Sequence, residues 1–207
     1  MKSMWSYFEN FFTPEECDIL TLKCLNKSLK DGMDEGKVGG QHDGRIDSKV
    51  RQVKLCNIYL DEMREVFAKL VSAVDAANKK WFNEIDITNL EYIQFMQYDT
   101  NSGGFYTEHQ DVMYLDGDKI QTPSGDEINL HRKISFSLQL SESNDYKGCD
   151  LKFNRADCEA SGRPDPETIR QKGTLLVFPS FVRHSVTPIT DGTRHALVGW
   201  VVGPTWR

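Results

Sequence analysis

The chain opens with a helical period of apolar positions and closes with a strand period. Ile19, Leu20, Leu22, Cys24 and Leu25 give one early segment an apolar side. Its start is marked chemically: Thr13 can cap, Pro14 suits a first helical turn, and Glu16 completes a capping box. That helix should end near Lys30, before Asp31 and Gly32. A second stripe, Leu60, Met63, Phe67, Leu70, Val74, Ala77 and Trp81, recurs at steps of three and four. It predicts a helix whose apolar side packs on a sheet and whose polar face carries Asp61, Glu62, Arg64, Glu65 and Lys69. Residues 51–59, lying between the two, alternate partially and read as a strand. From residue 90 the period changes. Segments 90–98, 133–141, 150–153, 174–178, 184–187 and 194–202 are rich in β-formers and are separated by polar or Pro/Gly-containing connections. Helices first and then many short strands predict an α+β, mainly β chain, a barrel or sandwich buttressed by helices on one face.

Three polar segments interrupt this order. Residues 31–44 hold five glycines and His42, and read as a mobile connection or as a flap over a site. Residues 112–130 form a long connection placed to act as a lid, and residues 154–172 read as a surface excursion. The whole of 1–207 reads as one domain, with 1–89 a helical support region and 90–207 the β core.

Composition narrows the classes. Hydrophobic content of 39% and charged content of 27% are ordinary for a globular chain. A formal charge of −6 argues against a nucleic-acid binder, which usually carries a basic face. Five irregularly spaced cysteines with no CxxC fit a reducing compartment better than a disulfide framework or a zinc site. The first twelve residues carry Glu9 and Asn10 inside their apolar part and do not read as a signal peptide, and no apolar run approaches a membrane span. A cytoplasmic protein is the expectation.

Candidate chemistry starts at His109-Gln110-Asp111, which closes the stretch 98–111. On an extended segment alternate side chains share a face, so an imidazole and a carboxylate project together: two-thirds of a facial iron site. For the third ligand, His184 follows an apolar strand and a Pro-containing turn. His131 is disfavoured by the adjacent Arg132 and Lys133, and His195 by its place next to Arg194 in an alternating strand. Arg194, ten residues past His184, can hold a carboxylate by a two-pronged hydrogen bond; its other reading is a surface ion pair. In 133–141, Ile134, Phe136, Leu138 and Leu140 form one face, and Ser135, Ser137 and Gln139 the other. If the barrel mouth holds a polar cofactor, Ser137 and Gln139 line its pocket. The same parity puts Ala196, Val198 and Trp200 on the Arg194 side, with Trp200 either a pocket wall or a core aromatic.

These residues, with FTPEECDIL, RQVKL, Tyr98…Tyr106-x-x-His109-x-Asp111, RKISFSLQLSESNDYKGCDL and KGTLLVFPSFVRHSVTPITDGTRHALVGWVVGP, resemble the Fe(II)- and 2-oxoglutarate-dependent dioxygenases of the prolyl 4-hydroxylase type, especially the PKHD-type branch. The resemblance implies a double-stranded β-helix, or jelly roll, with N-terminal helices on one sheet. It implies His109, Asp111 and His184 as iron ligands, Arg194 as anchor for the distal carboxylate of 2-oxoglutarate, and Tyr98 as a hydroxyl assisting there. Tyr106 sits three residues before His109, as in the family, and belongs with Trp200 to the expected substrate pocket. Fe(II), 2-oxoglutarate, O₂ and ascorbate are the implied cofactors. A peptide or protein containing proline is the implied substrate, with no nucleic-acid or membrane partner. The alternatives are the same chemistry on another side chain or a small molecule, and a non-catalytic jelly-roll binding module. One departure is visible: Cys149 stands where the family usually has the second of two glycines.

Overall fold

In the computed structural model, residues 1–39, 44–112, 114–121 and 127–206 are described, with side chains described outside 113–129. The chain begins with strand β1 (Ser6–Phe8) and helix α1 (Pro14–Asp31). The capping box is formed: Glu16 N–H donates to Thr13 Oγ1 (3.2 Å) and Thr13 N–H donates to Glu16 Oε2 (2.8 Å). Strands β2 (Asp34–Glu35), β3 (Arg51–Gln52) and β4 (Lys54–Ile58) follow, then helix α2 (Arg64–Trp81). The second half holds β5 (Asn89–Asp99), β6 (Phe105–His109), β7 (Tyr114–Gln121), β8 (Glu127–Gln139), β9 (Tyr146–Gly148) and β10 (Leu151–Phe153). A short helix α3 (Pro166–Arg170) and strands β11 (Leu175–Pro179), β12 (His184–Val186) and β13 (Ile189–Pro204) complete it.

All pairings are antiparallel, and they make two sheets. The larger runs β1-β11-β8-β13-β5-β4-β2, with β7 added to β8 and β9 to the start of β13; the smaller runs β10-β12-β6-β3. The outer face of the larger sheet is covered by the helices. Cys17, Leu20 and Cys24 of α1 and Phe67, Leu70, Val74 and Ala77 of α2 bury against Ile93, Phe95, Ile134, Phe136, Leu138, Leu140 and Leu197. Each such large apolar side chain contributes roughly 1.5–3 kcal/mol on burial. Phe136 lies opposite Gly199, where an added Cβ would come within 2.5 Å of its ring, so the glycine makes room for it. The inner face of this sheet looks across a cavity of about 860 Å³ at the smaller sheet. Two facing antiparallel sheets with helices on one of them is the expected double-stranded β-helix, although the sheets do not close into a barrel.

Several expectations need correction. Helix α2 begins at Arg64, four residues after the apolar period starts, and Leu60 is 55% exposed. No side chain caps this helix, so the period overran its start. Segment 31–44 carries β2 on β4 and a bridge between Val38 and Arg45, and Asp34, Glu35, Lys37, Val38 and Gly39 line the cavity, in line with the flap reading. His42 lies outside the described residues. Most of 112–130 is strand, because β7 and the start of β8 extend the larger sheet. Segment 154–172 is more than a surface excursion: it holds α3, it buries Cys158, and Asp157 takes two hydrogen bonds from the Arg183 guanidinium (2.9 and 2.6 Å), next to His184. The region before residue 90 also supplies strands to both sheets. Among the described residues, no helix is long and apolar enough to cross a membrane.

Candidate active site

The two histidines of interest meet because their strands pair. β12 lies on β6 with His184 opposite His109, and their rings stand 4.3 Å apart between centroids. Asp111, just past β6, is held by backbone: its N–H donates to the Ser180 carbonyl (2.9 Å). One ligand atom from each of His109, Asp111 and His184 lies within 4.8 Å of the others. His109 Nε2 is 3.5 Å from Asp111 Oδ1, and His184 Nε2 is 3.6 Å from Asp111 Oδ2.

The far side of each ring fixes which nitrogen is free. His109 Nδ1 lies 2.8 Å from the Thr107 carbonyl, and His184 Nδ1 lies 3.0 Å from the Val182 carbonyl. A carbonyl only accepts, so both Nδ1 atoms carry the proton and both Nε2 lone pairs point at the cluster. Burial pushes the His184 pKa down, which keeps that imidazole neutral. Asp111, which accepts a hydrogen bond from Ser135, is the anion of the cluster. Two neutral imidazoles and one carboxylate, with no thiolate, are the donor set suited to a ferrous ion with open positions.

Supporting contacts hold the donors in place. The Tyr106 ring stacks on His109 at 3.5 Å, and the Arg51 guanidinium covers Tyr106 at 4.7 Å. Ser135 Oγ donates to Asp111 Oδ2 (2.8 Å) and is 2.9 Å from the fully buried Ser180 hydroxyl. Ser135→Ala should therefore weaken Mn(II) or Fe(II) binding by roughly 10- to 100-fold with the fold intact, measured by calorimetric titration.

Arg194 lines the same cavity and is 5% exposed. Its partners are neutral: its Nε donates to Gln139 Oε1 (2.9 Å), its Nη1 lies 4.0 Å from Cys149 Sγ, and the Tyr98 ring centroid is 5.7 Å away. Tyr98 is its register partner on β5, and burial pushes the phenol up to about 12, so it stays protonated as a donor. Among the described residues, no carboxylate lies within ion-pair distance of Arg194. Cys149 sits at φ 53, the left-handed region that the usual glycine adopts without strain, and its thiol fills space beside the guanidinium. Gln139 sits behind Arg194 and outside the cavity wall, where its Nε2 donates to the Tyr146 hydroxyl and the Ser141 carbonyl. Ser137 and Trp200 do line the cavity. The Arg132 guanidinium stacks on Trp200 at 3.6 Å and is held by two hydrogen bonds to Glu91. His195 faces away, stacked on Phe95, and His131 is not in the cluster. Sequence alone did not point to Ser180, Tyr146 or the Arg132–Glu91 pair. The parity of 133–141 did place Ser135 on the correct face.

A jelly roll carrying such a cluster defines a class, and sequence comparison agrees with it. A model of the 2OG-Fe(II) oxygenase superfamily matches residues 93–202, just over half of the chain, and the chain belongs to that family. Its relatives in sequence include PKHD-type hydroxylases. A PKHD-type hydroxylase of Idiomarina loihiensis is 32% identical over 99 residues, 48% of this chain and 37% of the relative, so the match spans little more than a third of that protein. Two solved structures share the fold. A Pseudomonas putida prolyl-4-hydroxylase has a TM-score of 0.65 at 21% identity, covering 96% of this chain and 92% of that one. A Trichoplax adhaerens prolyl hydroxylase, in complex with a hypoxia inducible factor oxygen degradation domain peptide fragment, has a TM-score of 0.70 at 18% identity, covering 96% and 83%.

Proposed function

We propose that this chain hydroxylates a C–H bond of peptidyl proline, coupled to decarboxylation of 2-oxoglutarate to succinate. The observation that carries the reading is the pairing of two features in one cavity: a His109–Asp111–His184 cluster and a buried Arg194 whose partners among the described residues are neutral. A buried cation without a counter-charge is costly unless a ligand supplies one, and a dicarboxylate cosubstrate does. Fe(II), when bound, would activate O₂, which is the oxidant for both the hydroxylation and the decarboxylation. The residues do the rest. His109, Asp111 and His184 would hold the metal. Arg194, helped by the Tyr98 hydroxyl, takes the distal carboxylate and sets the cosubstrate's direction. Gln139 fixes the plane of the guanidinium from behind. Trp200, Tyr106 and the apolar walls exclude water from the reacting end. No general base is assigned, since C–H hydroxylation here needs none.

The peptide reading is supported by prolyl hydroxylases among the structures of the same fold, one of them holding a peptide. Incubation with Fe(II), 2-oxoglutarate, O₂ and ascorbate as reductant, across a panel of proline-containing peptides and free amino acids, tests it. Succinate formation and a mass gain of one oxygen on proline are the expected result. Oxygen on another side chain or on a small molecule would move the substrate, and no succinate under any condition would leave a binding module.

A further inference from the structure

The cavity floor is the inner face of β13, β5 and β4, and its side chains fall in cross-strand rows. At one end Arg194 lies opposite Tyr98. The next row is apolar, with Ala196, Met96 and Leu55 in register. The third row is Val198, Gln94 and Asn57. Beyond it comes an aromatic run in which Trp200 meets Tyr92 edge-on at 6.4 Å and Tyr92 meets Tyr59 at 6.1 Å. Tyr59, at 52% exposure, brings that run to the surface.

The amide pair in the third row is chemically out of place between its neighbours. Gln94 is 8% exposed, and a buried amide is costly unless its hydrogen bonds are made. Gln94 Nε2 donates to Asn57 Oδ1 (3.1 Å), and among the described residues neither side chain has another hydrogen bond. Whichever way the two amides are turned, one bond between them leaves a donor on one and an acceptor on the other. Both side chains line the cavity. A donor and an acceptor side by side complement the C=O and N–H of a secondary amide.

We propose that Asn57 and Gln94 form a subsite that reads a peptide bond of the substrate, two or three residues from the hydroxylated position, as the extended chain leaves over Tyr92 and Tyr59. The spacing follows from the sheet. Trp200 lies opposite Ser135, which bonds Asp111, so β13 carries the floor past the metal cluster. From Trp200 on β13, Asn57 is two strands away, about 10 Å, which is roughly three residues of extended chain. Aromatic side chains beyond it favour an extended, proline-containing segment. The inference rests on the hydroxylase reading and narrows its substrate to a chain with flanking peptide bonds, excluding a free amino acid.

The test uses the full protein loaded with Mn(II) and 2-oxoglutarate, titrated calorimetrically with an acetylated, amidated heptapeptide of alanine with one central proline. In the Asn57→Leu/Gln94→Met double variant, peptide affinity should fall about tenfold while 2-oxoglutarate affinity is unchanged. N-methylation of single peptide bonds provides a readout on the unaltered protein. One position, two or three residues from proline, should lose about tenfold in the native protein and nothing further in the double variant. Equal peptide affinity in native and variant protein, a flat N-methylation profile, or no peptide binding while 2-oxoglutarate still binds overturns the subsite and leaves the reaction standing. Loss of 2-oxoglutarate binding to the native protein overturns the reaction and the subsite together.

Discussion

Asp111→Ala is expected to abolish metal binding and 2-oxoglutarate turnover together. Asp111 is the single anion in the cluster, set between His109 and His184 at 3.5 and 3.6 Å. Without it a divalent ion would face two neutral imidazoles. Removal of a group that only supports a ligand costs roughly 10- to 100-fold in metal affinity, so removal of a ligand should exceed about 100-fold. The fold should survive, because Ser135 and Ser180 remain hydrogen-bonded to each other at 2.9 Å once the carboxylate has gone. Calorimetric titration with Mn(II), succinate formation by NMR and a circular dichroism spectrum separate these effects. Retained turnover in a folded Asp111→Ala protein would falsify the assignment of the site.

Arg194→Met should give the opposite signature: metal binding kept, 2-oxoglutarate binding lost. Truncating one partner of a buried charge pair costs roughly 2–5 kcal/mol, which is about 30- to 5,000-fold in affinity. Arg194→Lys should not restore it, because an ammonium cannot hold a carboxylate by two parallel hydrogen bonds while also donating to Gln139. Unlike most losses of a buried charge, this one strands no counter-ion among the described residues, where the surrounding groups are Gln139, Cys149, Tyr98 and Tyr146. What is left is the unpaired Gln139 carbonyl, at about 1–3 kcal/mol. Thermal melts of the metal-free variant should therefore show a modest loss of stability beside a large loss of cosubstrate affinity.

The parts of this molecule set by local chemistry were legible before the structure. The capping box at Thr13 fixed the start of α1. The alternation of Ile134, Phe136, Leu138 and Leu140 against Ser135 and Ser137 gave the orientation of β8, with one face under the helices and the other toward the cavity. His109 and Asp111 share a face because they are two residues apart, and His184 joins them. What stayed hidden depends on pairing between distant segments. Asn57 and Gln94 become a pair only when β4 lies on β5 in a particular register. Segments 31–44 and 112–130 read as loops because they are mostly polar, with no apolar alternation to mark β2, β7 or the start of β8. Leu60 and Met63 fit the helical period but precede the first turn of α2, since periodicity marks a face and not a boundary.

The seating of β1 on β11 has a consequence for how the chain is made. Phe8 finds its partner at Leu175, so β1 stays unpaired until β11 has been made. At about 5–20 residues per second that is a delay of roughly ten seconds or more. During it, the apolar ring of Phe8 and the unpaired edge of β1 lack the partners they have in the folded protein. His109 and His184 lie closer together in the chain, so the metal site waits a shorter time, until β12 has been made.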